Sequence, residues 1–206
     1  IRLAREGRTA EASDTLSRAI DADANTSSID PAIACILAAE GRTDQAFDHL
    51  EEALRVAWKD VDFLQQEPAL APLRGTPRFA SLLAMANGTL PKAHVRVTDV
   101  LPDSPAHAAG ILPWDVLLEV EGSTLRRVRQ LADDLYMKGQ EGAVSLALWR
   151  AGERVVVSIP KGKAPGFRLD SVDFDAGITN GPGAIQRRKL WRARLAAVAR
   201  IECSAR

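Results

Sequence analysis

Apolar and polar positions follow two rhythms along this chain. In the first part, apolar residues recur at helical spacing, as in Ala12, Leu16, Ala19 and Ile20 and again in Ala46, Leu50, Ala53 and Leu54. Further on the period falls to two: Ala143 to Trp149 and Glu153 to Ile159 read as two half-buried strands joined by a tight turn at Ala151-Gly152. Between them, Val95 to Leu125 reads as strand, short helix and strand. Ser104 can cap a helix that begins at Pro105, whose fixed φ suits a first helical position and whose missing N–H is not needed there. Gly110 then ends that helix, and Asp115 to Glu121 partly alternates before a turn at Glu121-Gly122. A second helix is expected from about Val128 to Lys138, with Leu131 and Leu135 four apart on one face and Gly139 as its stop.

The helical part repeats. Glycines at Gly7, Gly41 and Gly75 and alanines at Ala12, Ala46 and Ala80 keep a spacing of 34 residues, with Ala4-Arg5-Glu6-Gly7-Arg8-Thr9 answered by Ala38-Ala39-Glu40-Gly41-Arg42-Thr43. Each glycine would end the first helix of a hairpin, and the small alanines would let two helices approach. The period and the A-x3-F-like pairs Ala12/Leu16 and Ala46/Leu50 resemble the tetratricopeptide repeat, with Leu in place of the aromatic. The first unit lacks most of its first helix, which suggests a chain cut from a longer one with more repeats. In the third unit Pro68 and Pro72 fall where a helix should run, so that helix should be short or broken and Phe63 to Met85 should form an end cap. Such repeats usually bind peptides, but two and a half units offer little groove, and spacing or docking a neighbouring domain is an equal reading. His49 is expected to be solvated or packed. Asn87-Gly88-Thr89-Leu90-Pro91 marks the boundary.

Composition narrows the function classes. Lys and Arg total 27 and Asp and Glu total 27, so no global field attracts nucleic acid or membrane. No apolar run approaches the roughly 20 residues of a spanning helix. Cys35 lies on an apolar helical stretch and reads as a buried, inert thiol far from Cys203; no CxxC or HExxH suggests a metal. His49, His94 and His107 sit in no nucleophile context, and Gly139 to Gly142 lacks the residues of a phosphate loop. Neither an enzyme nor a cofactor is expected.

The order Asp103-Ser104-Pro105-Ala106, Gly110-Ile111, Pro113-Trp114-Asp115-Val116-Leu117-Leu118-Glu119-Val120 and Glu121-Gly122 resembles the PDZ domain in its bacterial form. One departure is Trp114, where the family usually has Gly ahead of the near-universal Asp, here Asp115. A large ring there must lie on the surface or bend the turn. The resemblance implies a module that accepts a peptide as an added strand beside a second helix. It also implies a circularly permuted order, in which the loop that grips the peptide's C-terminal carboxylate follows the last strand of the pair above. That loop is then Ala164, Pro165, Gly166 and Phe167, the groove strand runs from Phe167 through Arg168 and Leu169 to Val172, and Val128, Ala132 and Leu135 form the facing wall, while Leu131 packs into the core. Successive N–H groups in a Gly-containing loop make an anion site. Pro165 removes one donor, leaving Gly166 and Phe167, with charge from Lys163 or Arg168. A β-branched residue at Gly166 is expected to abolish binding and leave the fold intact.

From Gln186 the chain turns basic, with Arg187, Arg188, Lys189, Arg192, Arg194 and Arg200 against Glu202, and Leu190, Trp191, Leu195, Val198 and Ile201 form a rough helical stripe. Such a segment can dock on its own domain, remain an extension, or contact a partner. The expected fold is therefore α+β and multidomain. A tetratricopeptide-like stack over 1–87 and a linker over 88–93 precede a PDZ-like β-sandwich or partly open barrel with two helices over 94–172, and a flexible lead and basic segment fill 173–206. The expected function is that of a non-catalytic adaptor or scaffold binding a peptide or protein C-terminus, without nucleic acid, cofactor or metal. The alternative is a regulatory or substrate-targeting segment of a larger bacterial protease or signalling enzyme. Either the cytoplasm or the bacterial cell envelope suits these readings.

Overall fold

The early residues form helices in a computed structural model, which describes residues 1–21, 29–55, 58–91, 93–125, 127–136, 142–161 and 164–173. Helices α1 (Arg2–Arg5), α2 (Thr9–Asp21), α3 (Ile29–Ala39), α4 (Thr43–Arg55) and α5 (Val61–Gln66) are followed by a 3-10 helix, Pro68–Leu73. Gly7 and Gly41 end α1 and α3 in the left-handed region, at φ +72° and +75°. The bonds around them match: the Arg8 N–H reaches the Leu3 carbonyl at 2.9 Å and the Arg42 N–H reaches the Leu37 carbonyl at 2.9 Å. Residues 34 apart thus make the same helix stop, because only a residue without Cβ turns the chain there cheaply.

Helix α3 is apolar all round, with Ile33, Ala34, Cys35, Ile36 and Leu37 buried, as befits a helix packed against α2, α4 and the 3-10 helix at once. Burial pushes the Cys35 thiol up to about 12, the inert state expected of it. His49 is packed rather than solvated: its Nδ1 lies 2.7 Å from Asp30 Oδ1, tying α4 to the start of α3. Pro68 and Pro72 fall where α-helix gives way to the tighter 3-10 helix. The chain gives α5 and then the 3-10 helix, at whose start the Glu67 carboxylate accepts from the Ala69 N–H. Arg5 Nε and Nη2 donate to the two oxygens of that carboxylate at 2.8 and 2.6 Å.

Contacts divide the chain between Gly75 and Thr76, ahead of the 88–93 linker expected from composition. Helix α6 (Pro77–Ala86) therefore counts with the second unit rather than with the repeats. Thr76 caps it by accepting from the Phe79 N–H.

The second unit adds β1 (Ala93–Val100), α7 (Pro105–Ala108), β2 (Val116–Val120), β3 (Ser123–Thr124), α8 (Val128–Tyr136), β4 (Ala143–Arg150), β5 (Glu153–Pro160) and β6 (Phe167–Asp173). All six strands belong to one open sheet in the order β5-β4-β2-β1-β6, with β3 paired to β2, and each pairing is antiparallel. Among the described residues the sheet is open, where the PDZ resemblance implies a sandwich or partly open barrel; period-two patterning specifies which residues face the core and not how the sheet closes. Val95, Val97, Leu117, Val120, Val144, Leu146, Leu148 and Ile159 face the core with Leu131 and Leu135 of α8. Alternation puts Ala147 and Trp149 on the opposite face of β4, yet both are buried, and α6 is in contact with that strand.

Candidate functional site

The chain's last described strand lies beside the first one of the sheet. β6 runs antiparallel to β1, with Leu169 opposite Val97 and Phe167 opposite Val100, across an irregularity between Val97 and Asp99. Among the described residues β1 is the single strand partner of β6, so the second edge of β6 has no strand on it. Helix α8 is in contact with β6. A strand edge flanked by a helix is the geometry that strand addition requires.

The turn that leads into β6 is held by its carbonyls. The Pro165 carbonyl accepts from the Ala106 N–H at 2.9 Å, and the Gly166 carbonyl accepts from the Leu101 N–H at 2.7 Å. Ser104 Oγ donates to the Gly166 carbonyl across a long 3.5 Å contact while accepting from the His107 N–H at 3.2 Å as the cap of α7. Among the described residues the Gly166 N–H has no acceptor. Antiparallel pairs alternate between hydrogen-bonded and non-hydrogen-bonded positions. Leu101 and Gly166 share a bond, so Phe167, one step on, directs its N–H away from β1 and toward the open edge. The same alternation gives the open edge the Phe167 N–H at the head of the strand, while the Gly166 N–H belongs to the pair with Leu101 and makes no bond there.

Side chains sort by the same alternation. Phe167 and Leu169 are half-buried against the core cluster, as is Val128 at the start of α8. Arg168 is exposed, and its Nε lies 3.9 Å from Asp99 Oδ2, a weak surface pair. Ala164 is exposed and Pro165 buried. Leu131 is core as expected. Leu135 corrects the sequence reading: at 3% exposure it belongs to the core and cannot also wall an open groove. Positions 131 and 135 share a face, so one helix turn could not supply both a core and a groove residue there. The Ala132 side chain and Lys163 lie outside the described residues, as does the basic segment from Gln186.

The expectation for Gly166 also changes. Its φ is +78°, and a Cβ built there would fall 2.1 Å from the Ser104 Cβ. A β-branched residue would displace the turn from α7 rather than leave the fold intact.

Asp115 is the hinge of the opposite loop. Buried at 1% exposure, it accepts from Arg150 Nε and Nη2 at 2.7 and 2.6 Å and from the Leu112 N–H at 2.9 Å. Arg150 Nη2 also donates to the Gly110 carbonyl at 2.7 Å, so one guanidinium ties the end of α7 to β4, and its pKa is raised by these bonds to Asp115. Trp114 beside it holds φ +74°, the left-handed value for which glycine is the usual choice. Its ring is covered by the guanidinium carbons of Arg78 at 4.4 Å and Arg96 at 5.2 Å from the centroid, contacts the sequence did not reveal.

Residues 71–160 match the PDZ domain family. The PDZ match begins within the 3-10 helix, runs to the end of β5 and stops before the Pro165-Gly166 turn and β6. PDZ domains bind peptides or protein C-termini. No curated protein matches the chain. Among the described residues, no group of three His, Cys, Asp or Glu side chains is placed to hold a metal ion, and no helix is long and apolar enough to cross a membrane.

Proposed function

We propose that the PDZ unit binds an extended peptide ending in a free carboxylate, taken as a seventh strand on β6 and covered by α8. The observation that carries this reading is the edge of β6 that has no strand on it among the described residues, with the Phe167 N–H facing that edge and Gly166 beside it. Backbone bonds along β6 supply affinity, and the apolar surface of Phe167, Leu169 and Val128 selects apolar side chains at alternate positions. Loss of the Pro165 donor leaves the Phe167 N–H for the carboxylate, with Gly166 beside it and Arg168 adding charge nearby. The chain works as a non-catalytic adaptor, its helical hairpins a tetratricopeptide-like stack that spaces or docks the PDZ unit.

Titration with matched apolar peptides, one with a free C-terminus and one amidated, tests the carboxylate site. The free acid should bind in the micromolar range, about −8 kcal/mol, and the amide about tenfold more weakly. Equal affinity for the two peptides would remove the carboxylate from the account.

A further inference from the structure

The sheet has a second edge, at β5. That strand pairs with β4, and its other side carries no strand among the described residues. The alternation along the pair is set at one end, where the Lys161 N–H donates to the Gly142 carbonyl at 3.0 Å. Counting back in steps of two, Ile159, Val157, Val155 and Glu153 bond to β4, so Arg154, Val156 and Ser158 turn their N–H and carbonyl groups outward. Pro160 turns outward too and has no N–H to offer.

Charges and proline are the usual devices that keep an edge from pairing, and on β5 they stand only at the ends, as Glu153, Arg154 and Pro160. The middle is Val155-Val156-Val157. Val155 and Val157 are half-buried against the core. Val156, on the opposite face, is at 58% exposure the most exposed large apolar side chain among the described residues.

We infer that this edge pairs with the β5 edge of a second copy of the chain, antiparallel about a two-fold axis at Val156. The backbone is self-complementary in that register. With Val156 opposite Val156, Arg154 of each copy faces Ser158 of the other, so every outward N–H meets a carbonyl, and Pro160 falls beyond the ladder, opposite Gly152. A shift that set Pro160 opposite Arg154 would lose a bond at each end. Side chains agree: Val155 of each copy lies opposite Val157 of the other on the core side, a β-branched pair of the kind strands favour. Charge agrees as well. Glu153 and Lys161 have no ion pair among the described residues, and the register sets Lys161 of each copy diagonal to Glu153 of the other, within reach of long side chains. Residues 76–175 carry 12 acidic and 12 basic side chains, so two identical units do not repel. Room exists for the small Ala151-Gly152 turn of the second copy near Pro160, where a cleft of about 480 Å³ opens between Pro105, Ala108 and Ala109 on one side and Ser158 and Pro160 on the other. Pairing at β5 leaves both β6 edges free, at the two ends of one continuous sheet, so a dimer presents two copies of the β6 edge together.

One eight-residue strand from each copy makes a small interface, so the dimer should be weak, with a dissociation constant on the order of 10–100 µM. Sedimentation velocity of the full chain from about 5 to about 500 µM spans that range. The parent should pass reversibly from monomer to dimer. Val156→Lys and Val156→Glu each set like charges face to face at the axis, on a side chain already exposed in the single chain, and each should weaken the dimer at least about tenfold. An equimolar mixture of the two variants should restore it. Amide exchange of the parent alone gives a second reading: Arg154, Val156 and Ser158 should slow about tenfold over the same rise in concentration, while β6 stays unchanged. A parent that remains monomeric throughout, as it would if another part of its own chain covered the edge, overturns the proposal. So does assembly beyond the dimer, which would set β5 against β6 of the next copy. Variants that dimerise like the parent, a mixture no better than its components, or exchange at Val156 that is independent of concentration would overturn it equally.

Discussion

Ser104 and Gly166, 62 residues apart, meet so closely that the missing side chain of the glycine is part of the contact: a Cβ there would sit 2.1 Å from the Ser104 Cβ and 2.6 Å from its Oγ. One serine thereby caps α7 and braces the turn that opens the proposed groove. The relationship predicts energetic coupling. Gly166→Ala should destabilise the unit by more than the roughly 1–2 kcal/mol of a left-handed alanine alone. In a Ser104→Gly background, where capping falls by only a few tenths, the penalty should shrink by at least about 1 kcal/mol. Urea unfolding of the four proteins of this cycle measures it; additive effects would mean the turn relaxes away from α7.

Trp114 pays for its backbone with its ring. A left-handed non-glycine residue carries strain of about 1–2 kcal/mol, and two guanidinium contacts return about 0.5–1 kcal/mol each. Trp114→Gly should therefore change stability by less than about 1 kcal/mol. Trp114→Val, which keeps the strain and loses the ring, should be about 2 kcal/mol worse than Trp114→Gly in thermal or urea unfolding.

Arg150 is the cation that compensates a buried carboxylate. Arg150→Ala leaves Asp115 with the Leu112 N–H and no charge partner, an arrangement that costs about 3 kcal/mol. Arg150→Lys should recover less than half of that, since an ammonium cannot make the forked contact and reach the Gly110 carbonyl as well. Urea midpoints of the two variants decide the point.

The Arg5–Glu67 pair gives the helical unit a dependence on acid. The Glu67 carboxyl is lowered from its ordinary 4.5, first by hydrogen bonds from Arg5 and then by that from the Ala69 N–H, against the opposing effect of burial. A depressed folded pKa contributes stability that is complete above the unfolded value near 4.5 and disappears as pH falls through the folded value. Glu67→Gln should thus be less stable than the parent at pH 7, with the gap closing as pH falls below about 4. Unfolding curves from pH 7 to pH 3 should show that convergence; a constant gap would assign the loss to packing.

What the sequence made legible was local. The Ser104-Pro105 start and Gly110 stop of α7 and the glycine stops at Gly7 and Gly41 rest on caps and left-handed residues, which are written within a few positions. The strand β6 is expected only through the PDZ resemblance, which implies a groove strand after the loop from Ala164 to Phe167. What escaped depends on contacts between distant residues. Pro77 to Ala86 reads as part of the end cap of the repeats, whereas its contacts, including those with β4, group it with the second unit. Leu135 could not be separated from Leu131 because both lie on one helical face. Arg78 meets Trp114 across 36 positions, and Ser104 meets Gly166 across 62, distances at which spacing carries no signal.

Amide hydrogen exchange of β6, measured with and without an apolar free-acid peptide, tests strand addition most directly. The account predicts that Phe167 and the alternate amides that face away from β1 exchange freely in the unliganded chain and become protected, with Gly166, when the peptide binds. Protection of those amides before any peptide is added, or binding that leaves them unchanged, would contradict it.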